Sequence, residues 1–159
     1  MTVTFFWHHD AVCTKTLIDR VSVCIEALIS NGATDFYLGG YGNFDTLAAK
    51  IVFSMKKRNP AIKSVLVIPY LDRNYDMSWY DGSVYPPLEN VPKRYAISKR
   101  NEWMINQSDI VVAYIRHNFG GAAASVSYAK RRGKRVIFLD CNSPATPDFS
   151  QELAFFGKL

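Results

Sequence analysis

Four stretches of this chain carry residue types that can hold a charged or planar ligand. The first is Gly39-Gly40-Tyr41-Gly42-Asn43-Phe44-Asp45. Glycines at a turn let the backbone approach a ligand closely, and a helix that starts there offers free N–H groups to an anion. The spacing is not the dinucleotide fingerprint, because the third glycine position after Gly40-x-Gly42 holds Asp45. A plainer reading is a tight turn with Asn43 as the N-cap and Asp45 in the first helical turn. The second stretch, Gly120-Gly121-Ala122, opens another helix. It is either a second backbone anion site or a set of small residues that lets a helix sit close to a sheet.

The third stretch is Arg100-Asn101. On a helical wheel, Ile97, Arg100, Asn101, Met104 and Ile105 share an arc of about 140°. An arginine on an apolar face must be paired or must meet an anion, since an unpaired buried charge is costly. Asp45 and Asp109 are the candidate internal partners, and a ligand is the alternative. The fourth stretch is Trp7-His8-His9. Adjacent histidines on a strand point to opposite sides, which is poor geometry for a shared metal, so no metal site is expected. An imidazole beside phosphates or stacked on a base fits better, and Trp7 is either a stacking platform or core. Tyr70 begins a segment with Tyr75, Trp79, Tyr80 and Tyr85 that either walls a base pocket or forms the core of a large loop. No P-loop lysine motif, nucleophile elbow or zinc-type cysteine pair occurs, and no cofactor is expected.

The elements that must position these residues alternate along the chain. Strand-like runs lie at 2–7, 35–39, 63–70, 109–115 and 135–140. Helical spacing links Leu17, Val21, Cys24, Ile25 and Leu28, and again Phe44, Leu47, Ala48, Ile51, Val52 and Met55. A further helix follows Gly120-Gly121 and ends at Gly133. Unbroken apolar strands alternating with helices predict a parallel α/β sheet with helices on both faces. The reading is a doubly wound sheet of about five strands in the order 3-2-1-4-5. Such a sheet binds ligands beyond the carboxyl ends of its strands, where strand order reverses. That places the loops at 7–12, 39–45, 70–93 and 116–122 together.

The chain of 159 residues reads as one domain, 1–159, with a tail at 141–159 that packs on the body or on a second subunit. Hydrophobic residues make up 48% and charged ones 21%, which excludes a disordered chain. No apolar run is long enough for a membrane span, and the start lacks the pattern of a signal peptide. Three dispersed cysteines argue against a disulfide framework and for a cytoplasmic location. The net charge of +5 attracts anions. Its two clusters, Lys56-Lys57-Arg58 and Lys130 to Lys134, close helices and complement their dipoles. They should lie on the edge opposite the pocket, so nucleic acid is expected to be an unlikely partner.

The stretches LGGYGNFD, RNEWMINQSDIVVAY and GGAAASVSYAKRRGKRVI together resemble the SLOG superfamily, over most of residues 3 to 140. Its members include the lonely-guy phosphoribohydrolases, the DNA-uptake Rossmann-like proteins and nucleotide-sensing domains of bacterial defence systems. Small bacterial and prophage proteins of this superfamily are the nearest in appearance. The resemblance implies a Rossmann-like fold, often in a homodimer or higher oligomer, that binds nucleotides or ADP-ribose-like molecules. It also implies that Asp45 stands where the hydrolases carry a glutamate that works on the ribose, one methylene shorter. Arg100 matches an arginine near the reacting sugar. Phe5-Phe6-Trp7-His8-His9 departs from the Phe-Phe-Gly-His-Arg of similar small proteins, which implies a pocket of different shape.

The expected function is therefore binding of a nucleotide-derived ligand, such as ADP-ribose or a cyclic ADP-ribose-like signal. Its expected ligand-binding residues are Trp7, His8, His9, Gly39, Gly40, Tyr41, Gly42, Asn43, Asp45, Tyr70, Arg100, Asn101, Gly120, Gly121 and Ala122. A domain with no fused effector is expected to sense or sequester its ligand, as a viral anti-defence sponge would. One alternative is an N-glycosidase acting on nucleoside monophosphates, with Asp45 and Arg100 as its catalytic residues. Another is single-stranded nucleic-acid binding.

Overall fold

A computed structural model describes residues 1–8 and 12–139. Among these, strand β1 (Thr2–Trp7) leads to helix α1 (Lys15–Ser30), β2 (Asp35–Leu38), α2 (Gly42–Met55), β3 (Lys63–Val67) and β4 (Gly82–Val84). A 3₁₀ turn at Lys93–Tyr95 then enters α3 (Ala96–Gln107), followed by β5 (Ile110–Tyr114), α4 (Gly120–Arg131) and β6 (Arg135–Phe138). His9 and the tail at 141–159 lie outside the described residues.

The strands form one parallel sheet in the order β4-β3-β2-β1-β5-β6. The expected order of five is present within it, and a sixth strand extends one edge. β4 has only three residues, Gly-Ser-Val, too few to show a periodic pattern. Its pairing is held by the Asp81 carboxylate, which accepts the Ser64 N–H at 2.9 Å, while the Asp81 N–H bonds the Ser64 carbonyl at 2.8 Å. Lys56 at the end of α2 pairs with the same carboxylate.

Each helix has local reasons to begin and end. Thr14 caps α1 by accepting the Leu17 N–H at 3.3 Å, and Gly32 takes the left-handed φ of 92° that stops it. α1 and α2 bury Leu17, Val21, Cys24, Ile25, Ala48 and Val52 against Phe5, Phe36 and Val112 on one face of the sheet. α3 and α4 bury Met104, Ile105, Ala122 and Ala129 against Phe6, Val67 and Val111 on the other. β1 supplies both cores by alternation, Phe5 and Trp7 to one and Phe6 to the other. Residues on both faces explain why the strands read as unbroken apolar runs.

Strand order reverses between β2 and β5, on either side of β1. The crevice this leaves lies at the carboxyl ends of the strands, and the candidate loops converge on it.

Candidate functional site

The crevice is a pocket of about 480 Å³. Of the expected residues, Trp7, His8, Gly39, Tyr41, Asp45, Arg100, Asn101, Gly120, Gly121 and Ala122 line it. Phe5, Phe6, Ile97, Met104, His117 and Phe119 join them. Gly40, Gly42, Asn43 and Tyr70 do not. Tyr70 instead lines a separate cavity of about 220 Å³ with Tyr85, and the Arg73 guanidinium lies 4.3 Å from its ring. The aromatic segment is divided as well: Trp79 and Tyr80 pack on the main core.

The glycine loop is built differently from the expected cap. Tyr41, not Asn43, is the N-cap of α2, and the helix begins at Gly42. Asp45 is buried in the first turn and its carboxylate accepts the Tyr41 N–H at 2.7 Å. The anion position beside the loop is thus partly filled by the protein's own carboxylate. Gly40 adopts φ 69°, and a Cβ there would stand 2.5 Å from Leu66 Cδ1. Its glycine is a requirement of the fold rather than of a ligand.

Burial raises the Asp45 pKa from 3.8 to about 6, against the lowering effects of the Tyr41 N–H, the Arg100 charge and the nearby Trp7 N–H. The Trp7 indole makes no hydrogen bond of normal geometry and its Nε1 is buried without a partner. Its ring packs 4.2 Å from that of Phe44, centroid to centroid. Trp7 is therefore largely core, with one edge in the pocket wall.

Arg100 is the decisive residue. It is 3% exposed, yet no carboxylate lies within ion-pair distance of it among the described residues. Neither expected brace forms: Asp109 accepts the Thr2 N–H instead, and Asp45 acts on Arg100 only through its field. Arg100 Nη1 donates to the carbonyls of Gly39 at 2.6 Å and Val67 at 2.9 Å. Nε is buried and unbonded. Burial lowers the pKa of this guanidinium from its ordinary value, and the Asp45 charge opposes that. Arginine stays cationic at any working pH, so the wall of the pocket carries a positive charge that no ion pair among the described residues satisfies, with Asp45 acting on it only at a distance.

The packing around Arg100 is tight. A Cβ on Gly39 would lie 2.5 Å from Nη1 and 3.0 Å from Cζ. Gly39→Ala is expected to push the guanidinium off its two carbonyls and to destabilise the protein by roughly 1–3 kcal/mol. Thermal melts of the variant and wild type check this. A melting temperature within a degree of wild type would show that Arg100 is free to move.

Across the pocket, α4 starts without a side-chain cap, since its N-cap residue is Phe119. Its first N–H groups, at Gly120, Gly121 and Ala122, have no hydrogen-bond acceptor among the described residues and stand at the pocket wall. Ser125 donates to the Gly121 carbonyl at 2.8 Å and accepts from Asn101 Nδ2 at 3.2 Å, which ties α3 to α4 beneath this end. The uncapped helix end and the unneutralised arginine face the same space.

The histidines do not converge as ligands of a metal. His8 Nδ1 accepts the Arg116 N–H at 3.1 Å, so its Nε2 carries the proton and donates to the Phe119 carbonyl at 3.0 Å. The rings of His8 and His117 stack at 3.5 Å, and His117 stacks on Phe119 at 3.9 Å. This three-ring pile forms one side of the mouth. His117 and Phe119 carry no motif of their own. The position of His117 just after β5 lets it approach the loop after β1, which is legible in the sequence, whereas nothing there pointed to Phe119.

The fold is Rossmann-like. DNA processing protein A from Helicobacter pylori, described for its single-stranded DNA binding mode, matches with a TM-score of 0.63 at 19% identity over 99% of this chain and 73% of that one. The molybdenum cofactor carrier protein of Chlamydomonas reinhardtii matches with a TM-score of 0.59 at 16% identity, over 98% of this chain and 86% of the carrier. A curated relative, the uncharacterized SPbeta prophage-derived protein YoqJ of Bacillus subtilis (strain 168), is 28% identical over 162 residues, 86% of this chain and 91% of YoqJ. No family model matches the chain.

The expectation that nucleic acid is an unlikely partner does not stand. A protein with the same Rossmann-like fold has a single-stranded DNA binding mode. The premise about the two clusters holds, since Lys130 and Arg131 close α4 and Lys56 caps α2, but it leaves out the dispersed arginines. Lys134 does serve a helix end, donating to the carbonyls of Asn106 and Ser108. But Arg73 donates to the hydroxyl of the pocket residue Tyr41 at 3.1 Å, Arg116 precedes the pocket residue His117, and neither has a carboxylate partner among the described residues. Two arginines in separate loops form no cluster in the sequence, so they gave no signal there. As for membranes, no helix among the described residues is long and apolar enough to cross one.

Proposed function

We propose that the pocket binds one nucleotide unit and that it meets this unit mainly as part of a single-stranded nucleic acid. The observation that carries the reading is Arg100, a buried guanidinium with no carboxylate at ion-pair distance among the described residues, facing the uncapped N-terminus of α4 across a pocket of nucleotide size. The rim supports a polymeric ligand. Exposed rings of Tyr41 and Phe119 line it, with Arg73 bonded to the Tyr41 hydroxyl and Arg116 next to His117, neither in an ion pair among the described residues. Aromatic faces stack bases of any sequence, and arginines follow the phosphates. The likeness to DNA processing protein A fits this reading.

A second reading keeps the SLOG resemblance at its face value: a free nucleotide-derived ligand, ADP-ribose or a cyclic ADP-ribose-like signal, held or sequestered. The pocket volume of about 480 Å³ favours it, since that space encloses one such molecule rather than a chain. The prophage origin of YoqJ accords with a phage-borne sponge.

Fluorescence anisotropy with a labelled oligothymidylate, competed by ADP-ribose and by AMP, separates the two readings. The first expects binding that weakens steeply with salt and a longer oligomer that competes better than either small ligand. Tight ADP-ribose binding with no measurable oligomer binding would replace it with the second.

A further inference from the structure

A second concavity of about 330 Å³ runs between α3 and α4 and opens into the pocket, with Ile97, Asn101 and Gly121 lining both. The two helices run parallel, each of 12 residues, which gives the groove a length of about 18 Å. Its ends carry arginines: Arg94 beside the pocket and Arg131 at the far end. Both are exposed, and neither has a carboxylate partner among the described residues. The one acid in its wall, Glu102, is neutralised by Lys99 at 2.8 Å. The Tyr128 ring lies 5.8 Å from the Arg131 guanidinium, a flat surface beside the cation.

We propose that this groove is the track for the sugar–phosphate backbone of a single strand whose end nucleotide occupies the pocket. The proposal rests on the nucleic-acid reading of the pocket and adds the path the strand takes away from it. The occupant must be anionic, because both ends of the groove are cationic and its acid is already satisfied. It must also be elongated, because one phosphate cannot reach two arginines at opposite ends of an 18 Å helix pair. Between the arginines the floor mixes Ile97, Ile105 and Ala124 with the polar Asn101–Ser125 pair, so the charges at the two ends carry the choice of an anionic strand.

The test measures thymidine monophosphate and a ladder of short oligothymidylates against wild type and the doubly substituted protein, Arg94→Ala with Arg131→Ala. Both sites are exposed, so the fold is retained. Wild type is expected to gain affinity with length. The double variant is expected to keep its monophosphate affinity, to lose about tenfold for the longer oligomers, and to lower the salt slope by about 1.4. Lys57→Ala with Arg58→Ala, on the opposite edge, is expected to change neither value.

Monophosphate binding with no gain for longer oligomers would overturn the groove and leave the pocket standing. So would a gain with length that survives loss of both arginines, or an equal loss in the Lys57 and Arg58 variant. Absence of binding to every member of the ladder would overturn the reading of the pocket and the groove with it.

Discussion

Arg100→Met is expected to weaken phosphodiester binding by about 100-fold or more, while the melting temperature holds or rises. Two opposing terms decide this. The substitution removes two charge-assisted hydrogen bonds, to the Gly39 and Val67 carbonyls. If those bonds held the fold together, their loss would cost about 3–6 kcal/mol and lower the melting temperature by roughly 10 °C or more. Against that, the wild-type fold keeps a guanidinium that is 3% exposed, with an unbonded Nε and no ion pair among the described residues. The effective penalty for such a burial is several kcal/mol, and methionine of similar length relieves it. The Gly39 carbonyl borders the pocket and can meet water, whereas the Val67 carbonyl is buried, so at most one of the two acceptors is left bare. The burial term therefore wins. A large fall in melting temperature with little change in affinity would mean that Arg100 is a brace, and the ligand reading would fail. The decisive comparison is between stability and affinity in the same variant, because only a ligand-directed charge moves them in opposite directions.

Asp45→Asn carries the second large effect, and its sign depends on pH. The folded pKa of about 6 stands above the ordinary 3.8. A carboxyl of this kind contributes its full stability below about pH 4, where it is neutral in both states, and loses it as pH rises through 6. Above pH 7 the cost of keeping the charged form buried reaches about 3 kcal/mol. Asparagine does not titrate and still offers an oxygen to the Tyr41 N–H. The variant is expected to match wild type near pH 4 and to melt several degrees higher at pH 7.5.

Binding should follow the same titration. A carboxylate in the pocket wall repels a phosphodiester, whose own charge is constant over this range. Wild-type affinity is expected to fall from pH 5 to 7.5, and the variant's to stay level. Equal pH dependence in both proteins would remove Asp45 from the electrostatics of the site. The same variant bears on the N-glycosidase alternative: base release from a nucleoside monophosphate by wild type, absent in Asp45→Asn, would establish a reaction where we propose binding.

The sequence by itself determined the alternation of elements and the layout of the sheet. Apolar runs such as IVVAY and the helical stripes of α1 and α2 are local patterns that only a covered parallel sheet satisfies. That layout also selected the edge on which Arg100, Asp45 and Gly121 meet. Short elements escaped it: β4 exists through pairing with β3 and through Asp81, not through any period of its own. The cap of α2 escaped it too, because the choice between Tyr41 and Asn43 depends on where Asp45 is buried.

Tertiary structure alone decided what Arg100 does. Helical spacing put it on an inward face, but pairing is a question of distance to residues far away in the chain, and no carboxylate among the described residues stands near enough. The basic rim was decided the same way. Arg73 and Arg116 lie in separate loops and come beside the pocket residues Tyr41 and His117 only when the strand ends gather those loops. Local pattern fixes elements through neighbours in sequence. Charge acts through space, so the electrostatic character of the site became legible only when the sheet was closed.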